Sequence, residues 1–406
     1  MKKFVRPSLL AFALAAPTLP VALQSSAFAQ PEQNVASQVS QAAGTIAGPW
    51  TNEGAQQLLA YVEQVGLDGL TPASYGPDRL RAAIGSGDEA ARTRIADEIF
   101  LKLAADISGG SVRGGDRVSW YMAPSGADDA ERQRLLSRAK RGNVTEVLNG
   151  LLPTHAQYGL LKRALANPAN AERRDLIRTN MERWRWLPRN LGERHIIVNV
   201  PAYTAAIIDN GEVTARHRAV VGATSTPTPQ LSATVTAVTF NPWWTVPQSI
   251  VRTMRGFGGY EVRNGNGYRI VRQPPGPRNA LGRIKIEMPN EHAIYLHDTP
   301  SRHLFSRPVR AFSHGCIRTD NVREFARLLL APTNRWDRPQ IDRTIDAGRT
   351  VQARLAAPIP VYIAYFTAAA NIQGEIVTYA DIYGRDGRVR QALNRAPGSR
   401  SLASGS

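Results

Sequence analysis

The sequence predicts an α+β protein, with a helical scaffold region first and a β-rich, mixed-sheet domain with few helices behind it. Three observations carry this. Apolar residues recur at helical spacing from Asn52 to about Asn167. From His195 onward they come in short β-branched runs, and Asn210-Gly211 sits between two such runs as a hairpin turn. The length of 406 residues exceeds what one core usually covers, which favours two domains. With 43% hydrophobic and 20% charged residues, the chain is not a disordered one. No apolar run approaches the roughly 18 residues needed to cross a bilayer, so no stable membrane span is expected. The single cysteine cannot close an intrachain disulfide or build a cysteine-based zinc site.

The elements follow in order. Lys2, Lys3 and Arg6 precede the apolar stretch Leu9 to Ala16, and Ala27-Phe28-Ala29 supplies a small-residue cleavage site, so residues 1–29 are expected to be a secretory signal peptide. Residues 30–47 lack apolar periodicity and are expected to form a linker. Residues 48–178 make the helical scaffold domain: Leu58, Leu59, Val62 and Val65 share one helix face, and Leu101, Leu103, Ala104 and Ile107 continue the pattern. Gly66, Gly69 and Pro72 punctuate it, and no titratable cluster is evident. The second domain is expected over 179–388. Its strands lie near 195–200, 203–209, 212–222, 233–240, 283–288, 293–296, 361–366 and 376–380, and residues 389–406 are expected to be a disordered tail. The net charge of +17 would suit nucleic acid, but export argues against that partner. The charge is almost all arginine, interspersed with acids, which suits anionic lipid, polyanionic wall material or, best for arginine's planar fork, peptide carboxylates.

The chemistry converges on Cys316. Gly315 directly before it frees the backbone for a tight turn whose N–H groups face a reacting oxygen. Thr319-Asp320-Asn321 and an apolar face at Val322, Phe325, Leu328 and Leu329 predict a helix just behind, whose N-terminus would favour thiolate. Arg302, Arg307, Arg310 and Arg318, with no acid between Thr299 and Arg318, should lower the thiol's pKa and receive a substrate carboxylate. His297 and His314 both qualify as the base; spacing does not choose between them, since His314 lies two residues away on an extended segment and His297 ends an upstream strand. A Cys–His pair points to nucleophilic acyl transfer.

His297-Asp298-Thr299-Pro300 followed by Ser313-His314-Gly315-Cys316-Ile317-Arg318 resembles the signature of the L,D-transpeptidases with a YkuD-type catalytic domain. The resemblance extends over Asn180–Pro188, Val221–Pro229, Phe240–Pro247, Ile294–Phe305 and Asp381–Asp386, and more weakly over Gly66–Leu80. It is greatest to the large periplasmic members with an N-terminal helical scaffold domain. The resemblance implies a YkuD-like β-sandwich and a periplasmic enzyme of peptidoglycan biosynthesis. Cys316 would be the nucleophile and His297 the general base, oriented by the Asp298 carbonyl. The Gly315 backbone would serve the oxyanion hole, and Arg318, His314, Ser313, Tyr295 and Trp243 would face the substrate, with Trp244 a further groove candidate. Its partners would be peptidoglycan stem peptides, and carbapenem-type β-lactams would acylate the thiol. A tetrapeptide donor would lose D-Ala and form a 3→3 cross-link. The same thioester also suits an L,D-carboxypeptidase or an enzyme attaching or releasing a wall lipoprotein; a non-catalytic wall-binding protein fits least. The stretch after Pro247 is shorter than the lid-like insertion the resemblance leads one to expect.

Overall fold

The computed structural model describes residues 48–395 apart from Asn266, so the expected signal peptide and linker lie outside the described residues. Helices occupy the first half: α1 Asn52–Gln64, α2 Pro77–Gly85, α3 Glu89–Gly109, α4 Asp129–Lys140, α5 Val144–Asn149, α6 Ala156–Ala166 and α7 Arg174–Trp186. Thr51, Asp88 and Asp128 begin three of them by accepting a backbone N–H of the first turn. The apolar stripes close on one another, burying Trp50, Leu58, Val62, Phe100, Leu103, Ile107 and Leu148 almost completely. A Phe100→Ala change in such a core costs about 3–5 kcal/mol.

Helix α7 differs from the others because every residue from Thr179 to Trp186 is buried. Its polar side chains therefore all need partners. Asn180 accepts the Thr367 N–H (2.8 Å), and Arg183 pairs with Asp386 (2.6 Å). Glu182 takes the Val112 N–H (2.7 Å), the Trp186 indole (3.0 Å) and Arg185 (3.0 Å). The helix runs unbroken across 178/179, where the sequence suggested a domain boundary. The expectation of no titratable cluster in the helical half is also corrected. Arg185 meets the Tyr158 hydroxyl (3.0 Å), and Lys162 holds the buried Asp68 (2.7 Å). Asp106 is held by Tyr75 (3.1 Å), Lys102 and Arg113 (3.0 Å each). Apart from Lys102 and Asp106, which share α3 four residues apart, these partners come from separate segments that packing brings together.

The strands are β1 Arg194–Asn199, β2 Thr204–Asp209, β3 Glu212–Gly222, β4 Leu231–Phe240, β5 Trp244–Thr245, β6 Glu261–Gly265, β7 Tyr268–Gln273, β8 Ile284–Glu287, β9 Leu296–His297, β10 Ala311–Ser313, β11 Ile317–Thr319, β12 Val351–Ala364, β13 Ala368–Ala370 and β14 Ile376–Thr378. Nine of them form a mixed sheet in the order β10-β3-β11-β9-β8-β4-β12-β1-β2. Strand β3 also pairs with β2, so the sheet returns on itself around one apolar core. The hairpin between β2 and β3 turns at Asn210 and Gly211, both with positive φ, as a type I′ turn requires. Two helices, α9 Val322–Leu330 and α10 Arg338–Asp346, pack Phe325, Leu329 and Ile341 into that core. A second apolar cluster joins helix residues Leu161, Met181 and Trp184 to sheet residues Ile197, Ile208 and Tyr362.

The C-terminal expectation is corrected in part. Asp386–Leu393 is a helix (α11 here, with the short α8 at Gln248–Val251 counted before α9), and Val389 and Leu393 are buried against Val112 and Trp186. Residues 396–406 lie outside the described residues.

Candidate active site

The site is a consequence of strand register. Strands β9 and β11 run parallel with Leu296 opposite Ile317 and His297 opposite Arg318. Side chains alternate along a strand, so Leu296 and Ile317, both fully buried, enter the core. Tyr295, His297, Cys316 and Arg318 project on the other face. The antiparallel pairing of β8 with β9 sets Lys285 opposite His297 on that same face. Lys285 lies 4.7 Å above the Tyr295 ring and pairs with Glu287 (2.8 Å).

Cys316 is half-buried, and its sulfur lies 3.7 Å from the Ala293 carbonyl. Burial pushes the thiol pKa up, while the Tyr295 N–H and hydroxyl, Lys285 and Arg318 pull the other way without cancelling it. The sequence expectation of a lowered thiol pKa is thus corrected for the free protein. Two of its premises also change. Strand β11 separates the sulfur from helix α9, which starts at Val322 with Asn321 in a left-handed conformation and without a side-chain cap. Of the four arginines, Arg318 acts on the thiol. Arg302 pairs with Asp298 (2.9 Å), and Arg310 lies over the Tyr203 ring.

His297 is 5% exposed, and its pKa is lowered to about 3, first by burial and then by the charge of Arg318. Its Nδ1 stands 2.5 Å from the Asp298 carbonyl, which can only accept. Nδ1 therefore carries the proton, and Nε2 is the basic nitrogen. The Asp298 carboxylate is committed elsewhere, to the Arg283 N–H (2.8 Å) and Arg302. The nearest ring to His297 is Tyr295, with centroids 5.6 Å apart. Burial first, and then the neighbouring Cys316, push the Tyr295 hydroxyl's pKa up, while Trp244 beside it pulls the other way.

The loop before the sulfur is held from within. The Ser313 hydroxyl donates to the Cys316 carbonyl (2.6 Å) and accepts the Gly315 N–H (3.1 Å). Ser313 is buried and shapes the loop instead of facing a substrate. The Gly315 N–H is therefore engaged and does not supply an oxyanion donor; among the described residues the Cys316 N–H has no acceptor. Gly315 has φ +109°, and a β-carbon there would press on Ile294 at 3.2 Å. This bend breaks the alternation expected between His314 and Cys316 and leaves His314 in solvent. Trp243 lies under the Arg272 guanidinium (4.7 Å). Where the lid-like insertion was expected shorter, the small antiparallel sheet β5-β7-β6 carries Trp244 to the site.

Sequence reasoning missed Lys285 and the clamp behind the loop. Thr228 receives the Gly222 N–H and donates to the Gly315 carbonyl (2.8 Å each). Tyr383 donates to the Gly222 carbonyl (2.6 Å) and accepts the Thr228 N–H (3.2 Å). Lys285 was findable as the polar partner in the alternating run Ile284-Lys285-Ile286-Glu287; the clamp has no local signal. Among the described residues no cluster of metal-ligating side chains occurs. A separate cleft of about 440 Å³, lined by Tyr75, Lys102, Asp106 and Arg113, includes neither Cys316 nor His297.

Residues 193–353 match the family model of the L,D-transpeptidase catalytic domain, YkuD, and residues 48–165 match that of the scaffold domain. The chain therefore carries a YkuD L,D-transpeptidase catalytic domain behind an N-terminal scaffold domain. A Haemophilus influenzae protein named "Putative L,D-transpeptidase" is 31% identical over 226 residues, 48% of this chain; the chain spans 45% of that relative's length. Among solved structures, an L,D-transpeptidase from Mycobacterium smegmatis is 18% identical, with 42% of this chain and 58% of that chain covered and a TM-score of 0.23. L,D-transpeptidase 3 from Mycobacterium tuberculosis, solved with a faropenem-derived adduct, is 17% identical, with 42% and 60% covered and a TM-score of 0.24.

Proposed function

We propose that this protein is an exported L,D-transpeptidase that forms 3→3 peptidoglycan cross-links by acyl transfer through Cys316. The observation that carries the proposal is the single sheet face on which register gathers thiol, imidazole, tyrosyl hydroxyl and two cations. The alternation Lys2, Lys3, Arg6, apolar stretch and Ala27-Phe28-Ala29 supports export to the periplasm.

In the free protein the thiol is held up and the imidazole down, so the resting pair is neutral. Proton transfer then accompanies attack. As the Cys316 sulfur bonds to the carbonyl carbon of the third stem residue, its proton passes to His297 Nε2. Negative charge moves onto the carbonyl oxygen, where the Cys316 N–H and the Tyr295 hydroxyl are the available donors. Collapse breaks the C–N bond to D-Ala, whose amine leaves with the proton from His297. A second stem's side-chain amine then attacks the thioester, gives up a proton and restores the thiol. Arg318, whose Nε is buried without a partner, is placed to take a stem carboxylate.

Tetrapeptide-bearing sacculi incubated with the purified protein test this. Mass spectrometry of the digested muropeptides should show 3→3 dimers and free D-Ala, and none with Cys316→Ala. Tripeptides without dimers would instead show that water is the acceptor.

A further inference from the structure

The helical region reaches the rim of the thiol site. The loop between α3 and α4 is fastened to Gln230, which is 2% exposed, at the start of β4. The Gln230 N–H donates to the Ser119 carbonyl, the Tyr121 N–H donates to the Gln230 carbonyl (2.8 Å each), and the Gln230 side chain donates to Val118 (2.9 Å). Trp120 anchors the loop from the other side, edge-on to Trp186 at 5.3 Å. What this fastening presents is Tyr121, 55% exposed, with its ring 4.1 Å from that of His292. His292 is also exposed, and the next residue is Ala293, whose carbonyl touches the Cys316 sulfur.

Both sides of this contact are held in costly backbone conformations. Ser119 and Ala293 each have φ of 52° without being glycine. Such residues persist where the surroundings over-determine them, and they concentrate at ligand sites. Asn290 fixes the second loop by accepting the N–H groups of His292 (3.1 Å) and Ile294 (3.2 Å). A solvent-facing aromatic pair held this firmly, one residue from a carbonyl at the nucleophile, is built to meet something that enters the site.

Resting on the acyl-transfer function above, we propose that Tyr121, delivered by the helical region, is a positioning residue for the acyl donor. It contacts the part of the stem peptide that precedes the reacting residue, with His292 as its support. The helical region thereby contributes to the substrate wall as well as to folding. A small β-lactam, which lacks that part of the stem, acylates Cys316 without using Tyr121.

The test uses the full chain with Tyr121→Ala and Tyr121→Phe. Tyr121→Ala should raise KM for a tetrapeptide donor about tenfold with kcat and the melting temperature unchanged, and Tyr121→Phe should restore it. Acylation by a carbapenem, followed by intact mass, should proceed equally in all three proteins. Equal KM in Tyr121→Ala and wild type would overturn the proposal, as would an equal slowing of carbapenem acylation. Binding of the tetrapeptide to Cys316→Ala, with and without Tyr121→Ala, reads the same contact without turnover. A wild-type protein that binds the donor through Tyr121 yet forms no thioester would overturn the proposed chemistry and leave this contact standing.

Discussion

At Cys316, desolvation and hydrogen bonding oppose each other, and desolvation wins in the free protein. Alkylation by iodoacetamide should therefore rise with pH to a midpoint above that of a free cysteine; a midpoint below it would show a preformed thiolate. Tyr295→Phe removes one donor to both sulfur and oxyanion, and should lower kcat/KM about 10²-fold. For the base, His297→Gln should nearly abolish thioester formation, whereas His314→Ala should have little effect, because His314 lies in solvent. The opposite order, read by intact mass, would reverse that assignment. The sequence singled out Cys316 and His297 because they sit in a local signature. It could not show the sign of the thiol shift, which depends on how deeply the sulfur packs, nor Lys285, which meets His297 only across a strand pairing.

Among elements, the short strands matter most. Strand β9 has two residues and β11 three, so neither carries a periodicity that sequence could reveal. Their register is imposed by the strands that flank them, β8 beside β9 and β3 beside β11, and by the loop clamp. Thr228 is fully buried between the Gly222 N–H and the Gly315 carbonyl, and Thr228→Val leaves both unpaired. The expected cost is about 1–3 kcal/mol, measured by urea denaturation, with a larger fractional loss in acylation rate than in stability. An unchanged acylation rate would show that the loop holds its shape without the clamp. Helix α7 crosses the expected boundary at 178/179 because its buried stretch, Thr179 to Trp186, continues the more exposed first turn without a break.

Over the whole molecule, buried histidines set the response to acid. Burial lowers His297 to about 3 and His155 to about 4, and lowers His195 and His217 as well. Their ordinary value is about 6.5, so between about pH 6.5 and 3 the unfolded chain binds more protons than the folded one. Stability then falls as pH falls through that window, by at most about 1.4 kcal/mol per pH unit per histidine, and is insensitive to these groups above it. Thermal melts between pH 5 and 6.5 should show this slope, and His297→Gln should flatten it. Arg183→Met should cost about 3–5 kcal/mol, because it leaves Asp386 beside α7 without its cation. The two-part α+β architecture was legible from periodicity; the shared apolar cluster between its parts was not, since each contributes only half of it.

Strand β12 lies inside the large sheet, between β4 and β1, although eleven of the described strands precede it in chain order. Tyr383, which clamps the thiol loop, comes later still. Synthesis must therefore run past residue 364 before the sheet can close. A polypeptide that stops short of residue 351 already holds Cys316 and His297, yet it leaves the edges of β4 and β1 that face β12 unpaired. Such long-range closure is slow to form, and the loop before Cys316 gains its clamp only once Tyr383 has arrived.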